Sequence, residues 1–197
     1  AAMGSAYVAV ANDASAIYWN PAGLARLTAH EALLAHSEWL ADINYDFGGV
    51  VIRMGNMGLI AASLTILSMD EMMVRTETEP EGTGEYFGAS DACATITYSR
   101  SLTDRFSIGM NFKYIRQGIY HMNANGFAFD VGTLFTTQFH GMRIGMNIAN
   151  FGTKMRMAGK DSKIFVDINP EASGSNSTLP AHLETQSWPL PLLFRVG

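Results

Sequence analysis

Apolar and polar residues alternate along several stretches of this chain. In the clearest stretch, 106–114, even-numbered residues are apolar and odd-numbered residues are small or polar. The same two-residue period recurs over 127–136 and 142–148. Because successive side chains of a β-strand point to opposite faces, each stretch predicts a strand with one apolar and one polar face. Weaker patterns of this type predict further strands at about 31–40, 45–54, 57–68, 92–100 and 190–196.

The connections between these strands differ in length. Tight turns are predicted at Gly55-Asn56, 101–104 and His140-Gly141, and long loops at 70–91, 118–125 and 153–189. Short turns at one rim and long loops at the other are typical of transmembrane β-barrels, whereas a soluble sandwich has no reason to sort its loops. The pattern therefore predicts an antiparallel transmembrane β-barrel, of which about eight strands are present.

The solvent decides which face of each predicted strand points outward. In lipid the apolar face must be outside, so the polar face lines the lumen. The residues predicted to face the lumen are Asn111, Lys113, Asp130, Arg143 and Asn147. The aromatic residues predicted to lie near the head groups are Phe106, Tyr114, Phe127, Phe135 and Phe139.

Composition agrees with a β protein and argues against membrane-spanning helices. The most apolar run, Met57 to Leu67, contains Gly58, Ser63 and Thr65, and it is shorter than the ~20 apolar residues that a spanning helix needs. With 48% hydrophobic residues the chain is also too apolar for a disordered segment. The mean hydropathy of +0.07 is compatible with a soluble β protein and with a barrel.

Several functional classes find no support in the sequence. Thirteen Lys and Arg residues form no basic patch against a net charge of −5, which argues against nucleic acid as a partner. Cys93 is the single cysteine, so no intrachain disulfide and no cysteine-based metal cluster can form. The five histidines are scattered, and neither a G-x-S-x-G nor an H-E-x-x-H motif occurs. We therefore predict no enzyme, no catalytic residues, no metal and no cofactor.

Residues 1–28 do not follow the strand pattern. They are small and rich in alanine, which predicts short helical turns that end at Asn20-Pro21-Ala22-Gly23. Proline fixes the backbone, and Ala22 and Gly23 permit close packing. We therefore divide the chain into an N-terminal segment, 1–28, and a β-domain, 29–197.

The stretch from Met3 to Ala25, which includes the Asn-Pro-Ala motif, resembles the start of the mature PorV/PorQ family. Stretches 107–115, 130–135 and 148–152 are similar to the same family, which belongs with the FadL-type outer-membrane barrels. This resemblance implies that residues 1–28 fold inside the barrel as a plug or hatch, with Asn20, Pro21, Ala22 and Gly23 as its motif. It also implies a bacterial outer-membrane location, a signal peptide that precedes this chain, and further C-terminal strands.

The resemblance implies a component of type IX secretion that handles cargo proteins as its first candidate function. A channel for hydrophobic small molecules and a purely structural barrel are the alternatives. A channel needs an apolar cavity beside Ile17, Tyr18 and Trp19, whereas a secretion partner needs exposed apolar loop residues. Loop residues of this kind are Met72, Met73, Tyr86, Phe87 and Leu179. Outer-membrane lipid is an expected partner in every case.

Overall fold

The computed structural model describes residues 6–167 and 179–197, and its main element is an antiparallel β-sheet. The strands are β1 (Glu31–Glu38), β2 (Ile43–Arg53), β3 (Leu59–Met69), β4 (Met72–Met73), β5 (Tyr86–Phe87), β6 (Ala89–Ser101), β7 (Phe106–Ile119), β8 (Met122–Thr136), β9 (Arg143–Gly152), β10 (Ala158–Gly159), β11 (Lys163–Val166), β12 (Leu179–His182) and β13 (Leu193–Val196). The first five residues of the predicted N-terminal segment and positions 168–178 of the predicted loop 153–189 lie outside the described residues.

Strands that follow one another in the sequence are neighbours in the main sheet. The order is β1-β2-β3-β6-β7-β8-β9-β13, and β10 pairs with β8. The short pairs β4-β5 and β11-β12 form separate small sheets. Within the described residues β1 and β13 do not pair, so the sheet is open. The all-β antiparallel class is thus confirmed, while the strands described do not form a closed barrel.

The predicted strands are present, and their two faces differ as the alternation requires. On β7, Ser107, Gly109 and Asn111 are buried, whereas Met110 and Phe112 are exposed. Neighbouring strands are in register with this pattern, since Asn111 pairs with Thr97 and Asp130, and Phe112 pairs with Phe129. We call the face with the buried polar residues the inner face and the opposite one the outer face.

The prediction of a long loop over 118–125 is wrong. Ile119 pairs with Met122, so β7 and β8 are joined by a two-residue turn in which Tyr120 has a φ of 51°. Gly118 and Asn123, whose residue types suggested a loop, pair in the ladder because its hydrogen bonds come from the backbone. Long and short connections therefore occur together at this rim.

Residues 6–28 form a helical segment that covers the inner face. It contains 3-10 helices at Ala6–Ala9 and Pro21–Arg26 and the short helix α1 (Ala16–Trp19). Asn20 ends α1 and caps the second 3-10 helix. Pro21 lies in the first turn of this helix, where a backbone N–H would have no partner within the helix, so proline is tolerated there. The motif therefore starts a further helical turn, contrary to the prediction that the helical turns end there. Other short 3-10 helices are Leu40–Asp42, Gly55–Met57 and Lys160–Ser162.

The apolar core lies between this segment and β2 and β3. Ile17, Leu24 and Leu27 pack with Val51 and Leu59 in one buried cluster. In the described part of the chain, no helix has the length and apolar character needed to cross a membrane.

Candidate functional site

Asn20 fixes the N-terminal segment to the sheet. Its side chain is fully buried, and its amide nitrogen donates to the carbonyl oxygens of Val8 at 2.8 Å and Thr133 at 3.0 Å. Its Oδ1 accepts from the backbone N–H of Ala22 at 3.1 Å. One side chain thus joins both 3-10 helices of the segment to β8. Pro21, Ala22 and Gly23 are buried with it.

Glycines of three neighbouring strands let the segment approach the sheet closely. A Cβ added at Gly109 would lie 2.2 Å from the carbonyl carbon of Pro21, and one at Gly132 would lie 2.1 Å from Asn20 Oδ1. A Cβ at Gly145 would lie 2.5 Å from the carbonyl oxygen of Val8. Real Cβ atoms do not come this close, so these positions accommodate no larger residue without a shift of the segment. We call Gly109, Gly132 and Gly145 the glycine seat.

Polar side chains of the inner face form a buried network around Asp130. Its Oδ2 accepts from Lys113 Nζ at 2.6 Å and from Asn111 Nδ2 at 2.8 Å, and its Oδ1 accepts from the backbone N–H of Asn150 at 2.8 Å. Asn150 lies at a bulge between β8 and β9 and has a φ of 64°. The bulge thereby turns an N–H toward the carboxylate, which offsets the cost of burying its charge.

This network continues into the N-terminal segment. Asn111 Nδ2 also donates to the carbonyl oxygen of Ile17 at 2.8 Å, and its Oδ1 accepts from Thr97 Oγ1 at 2.7 Å. Asn147 Nδ2 donates to the carbonyl oxygen of Trp19 at 3.1 Å. The last carbonyls of α1 are thus held by amides from β7 and β9.

Four of the five residues predicted to face the lumen are brought together on the inner face, and Arg143 is not. Asn111, Asp130 and Asn147 are buried, and Lys113 is nearly so. Arg143 shares the face of Asn147 by strand parity but is exposed as the first residue of β9. Burial, and secondly the charge of Arg143, lower the pKa of the Arg26 guanidinium.

A cavity of about 520 Å³ lies on the inner face beside α1. Ile17 and Tyr18 form its floor from the segment, and the apolar side chains of Trp39, Tyr45, Phe47 and Ile115 line its walls. Polar groups from several strands also line it, namely Ser37, Ser63, Thr65, Cys93, Thr95, Lys113 and Asn150. Cavities of this size with a few polar groups in apolar walls are typical of small-molecule sites.

Of the two aromatic residues predicted to contact a ligand, only Tyr18 lines the cavity. Its ring is half exposed, and the Arg195 guanidinium lies 5.0 Å above its centroid. Trp19 instead packs edge to face on Tyr7 and Tyr18, with ring centroids 5.5 and 5.3 Å apart. Trp19 therefore packs the segment rather than the cavity.

The predicted loop contacts Met72, Met73, Tyr86 and Phe87 lie away from the cavity. Met72 pairs with Phe87 and Met73 with Tyr86 as the small sheet β4-β5 above one rim. Glu85 from this loop accepts a hydrogen bond from the Tyr120 hydroxyl at 2.8 Å, which joins the loop to the β7-β8 turn. Among the residues that the structure describes, no group of carboxylates, histidines or cysteine has the arrangement of a metal site.

The outer face is a continuous apolar surface. Its exposed residues pair across neighbouring strands, as Met110 does with Tyr98 and Val131. Phe112 stacks on Phe127, with centroids 5.7 Å apart. This surface includes Val50, Ile52, Ile60, Leu64, Ile96, Tyr98, Met110, Phe112, Tyr114, Phe127, Phe129, Val131, Phe135, Met146 and Ile148.

The sequence patterns did not predict the glycine seat, the role of Asn150 or most of the cavity walls. The seat had a partial signal, because three of the small residues in the alternating strands are glycines. No local pattern indicates that Tyr45, Thr65 and Cys93 meet in one cavity, since they come from three different strands.

Comparison with known proteins tests the family resemblance. A protein of Treponema pallidum (strain Nichols) described as "UPF0164 protein" is 26% identical over 170 residues, which are 81% of this chain and 43% of that protein. The chain thus spans less than half the length of this curated relative. No solved structure shows a significant match to the chain.

These findings correct the assignment to PorV/PorQ. The family model that matches residues 1–171 is that of UPF0164, and neither it nor the relative is described as PorV/PorQ. The assignment to PorV/PorQ, which was based on the stretch from Met3 to Ala25 and on short stretches of the strands, is therefore wrong. The implied roles in type IX secretion and in a FadL-type fold have no support from the comparisons. The chain belongs to UPF0164, an uncharacterised protein family.

Proposed function

We propose that this chain forms part of the wall of a transmembrane β-barrel, and that the cavity beside its N-terminal plug binds a small hydrophobic molecule. The observation that carries the proposal is the inverted distribution of side chains: the polar face of the sheet is buried and the apolar face is exposed. A soluble protein of this kind would present a far larger apolar patch to water than the few hundred Å² found on typical monomers. Lipid removes that cost.

The dimensions of the outer face support a membrane location. On β7 the outward residues are apolar from Phe106 to Tyr114, and the next outward residue is Arg116. At ~3.4 Å per residue these eight steps span ~27 Å along the strand. A tilt of about 40° reduces the height to ~21 Å, close to the ~25 Å apolar band of outer-membrane barrels. A bacterial outer membrane is the location that such barrels imply.

The plug is the second part of the proposal. Residues 6–28 cover the inner face, where the lumen of a barrel would lie, and Asn20, Asn111 and Asn147 hold them through buried hydrogen bonds. Irregular backbone at membrane depth is tolerated where protein surrounds it. The segment closes most of the inner face and leaves the cavity beside Tyr18 open to a ligand.

Native mass spectrometry of the full-length protein, extracted gently from its own membrane, tests the ligand. We expect the wild-type protein to retain an apolar molecule and Thr65→Trp, which fills the cavity, to lose it. Ala62→Trp is the matched control, because Ala62 is exposed on the outer face of the same strand. Recovery of the protein in the soluble fraction would contradict the barrel, and equal ligand content in all three proteins would contradict the cavity as its site.

A further inference from the structure

Among the residues that the structure describes, Lys113 is the one cavity-lining side chain with a basic or acidic charged group. The other polar lining groups are hydroxyls, a thiol and an amide. The charge of Lys113 therefore decides whether the cavity favours an anionic, a cationic or a neutral molecule, which is a property that the apolar walls do not determine.

The charge of Lys113 is already compensated. Nζ lies 2.6 Å from Asp130 Oδ2 and donates to Asn150 Oδ1 at 3.1 Å. The Asp130 carboxylate is completely buried and is held in place by Asn111 and by the N–H of Asn150. A lysine ammonium has three donors, so two are in use and one N–H remains for a ligand.

We propose that the ligand is a neutral amphiphile: a long apolar body with one hydroxyl or carbonyl oxygen that accepts the remaining N–H of Lys113. This inference rests on the proposed function and specifies its ligand. A carboxylate in the same place would add a second negative charge beside Asp130 with no second cation to balance it. A cation would meet Lys113 itself. A neutral acceptor satisfies the free donor without either cost.

Arg195 does not alter this charge balance within the cavity. Its guanidinium donates to the carbonyl oxygen of Tyr18 at 3.3 Å and lies over the Tyr18 and Trp19 rings. It does not line the cavity. Its contacts are thus with the segment, and the cavity lining on this side is Tyr18.

Four probes with the same sixteen-carbon body separate these cases: hexadecane, hexadecanol, methyl hexadecanoate and hexadecanoate. Their affinities for the full-length protein in detergent are measured by native mass spectrometry at about pH 9, where the carboxylate is ionised. We expect the alcohol and the ester to bind at least about tenfold more tightly than hexadecanoate, and more tightly than hexadecane, which has no acceptor for Lys113. Equal or tighter binding of hexadecanoate would overturn the inference while leaving the proposed function intact.

Two variants test the residues. Asp130→Asn removes the compensating charge, and we expect it to shift the preference toward hexadecanoate by at least about tenfold. Lys113→Met keeps the apolar stem and removes the donor, and we expect the ester to lose its advantage over hexadecane even if Asp130→Asn does not fold. An unchanged advantage in Lys113→Met would refute the role of Lys113. Binding of none of the probes by the wild-type protein would overturn the cavity as a ligand site, and this inference would fail with it. That result is expected where another part of the full-length protein fills the cavity.

Discussion

Replacing Gly109 with alanine should release the N-terminal segment from the sheet. The added Cβ would lie 2.2 Å from the Pro21 carbonyl carbon and 2.4 Å from the Ala22 nitrogen. Favourable contacts between carbon atoms lie at ~3.5–4.0 Å, so the segment must lift by more than ~1 Å. Both clashing atoms belong to the backbone and cannot rotate away. A lift of that size breaks the 3.0 Å hydrogen bond from Asn20 to Thr133.

The magnitude follows from two contributions. Overpacking costs about 1–3 kcal/mol. A buried amide and carbonyl left without partners cost about 1–3 kcal/mol more. The docking free energy should therefore fall by roughly 2–6 kcal/mol, which raises the open fraction at least tenfold because 1.4 kcal/mol is about one power of ten.

Hydrogen exchange of the amides in residues 6–28, in the full-length protein, measures this opening. Gly118→Ala is the matched control, because Gly118 is also a β7 glycine and its added Cβ would meet nothing closer than 3.2 Å. We expect fast exchange of the segment in Gly109→Ala alone, with the strand amides unchanged. Equal protection in both variants would refute the argument that the glycine seat determines how closely the segment docks.

Three further predictions concern the outer face, the plug and the rim. Val131→Lys, in the middle of the outer face, should lower the folding stability in lipid by about 2–4 kcal/mol, whereas Asn125→Lys, near the strand end, should lower it by only about 0–1 kcal/mol. Denaturant titration in lipid vesicles measures both, and equal effects would argue against a membrane-facing surface. Asn20→Ala removes the side-chain amide that bonds two carbonyls and one backbone N–H. It should lower the docking stability of the segment by about 1–3 kcal/mol or more in the same hydrogen-exchange assay, whereas Asn56→Ala, at an exposed position, should change it by about zero. The hydrogen bond to Glu85 raises the pKa of the Tyr120 phenol above its ordinary 10.0, so its stabilisation is present below that pH and is lost as pH rises through the raised value. The difference between the ultraviolet titrations of wild type and Tyr120→Phe gives the pKa of the Tyr120 phenol, and Glu85→Gln should lower it. An unchanged pKa in Glu85→Gln would contradict the hydrogen bond to Glu85 as the cause of the raised pKa.

The strands were predictable because their signal is local. Period-two alternation in 106–114 reports which side of a strand is apolar, and β7 has that arrangement. The tight β7-β8 turn was not predictable from the sequence. Glycine and asparagine are common in loops, but Gly118 and Asn123 pair in the ladder because the neighbouring strand supplies backbone partners.

The site depended on contacts that no local pattern reveals. Asn111 and Asp130 were expected on one face from strand parity, but the contacts of Asp130 with Asn111, Lys113 and the Asn150 N–H depend on the register of β7 and β8 and on the bulge at Asn150. Arg143 has the same parity as Asn147, yet it is exposed at the first position of β9, whereas Asn147 is buried under the N-terminal segment. Parity predicts the direction of a side chain and does not predict what covers it.

The order in which this chain can fold follows from where the N-terminal segment finds its partners. Asn20 bonds to Thr133, 113 positions later, and Tyr18 receives a hydrogen bond from Arg195, 177 positions later. Closing such long intervals is slow and entropically costly, whereas each hairpin of the sheet closes a short one. The part of this chain that is synthesised first is therefore the last to complete its native contacts, although its apolar packing on β2 and β3 closes shorter intervals. Chains that end before β8 should lack the hydrogen bonds that fix the N-terminal segment to β8 and β9, even where β2, β3 and β6 have already paired.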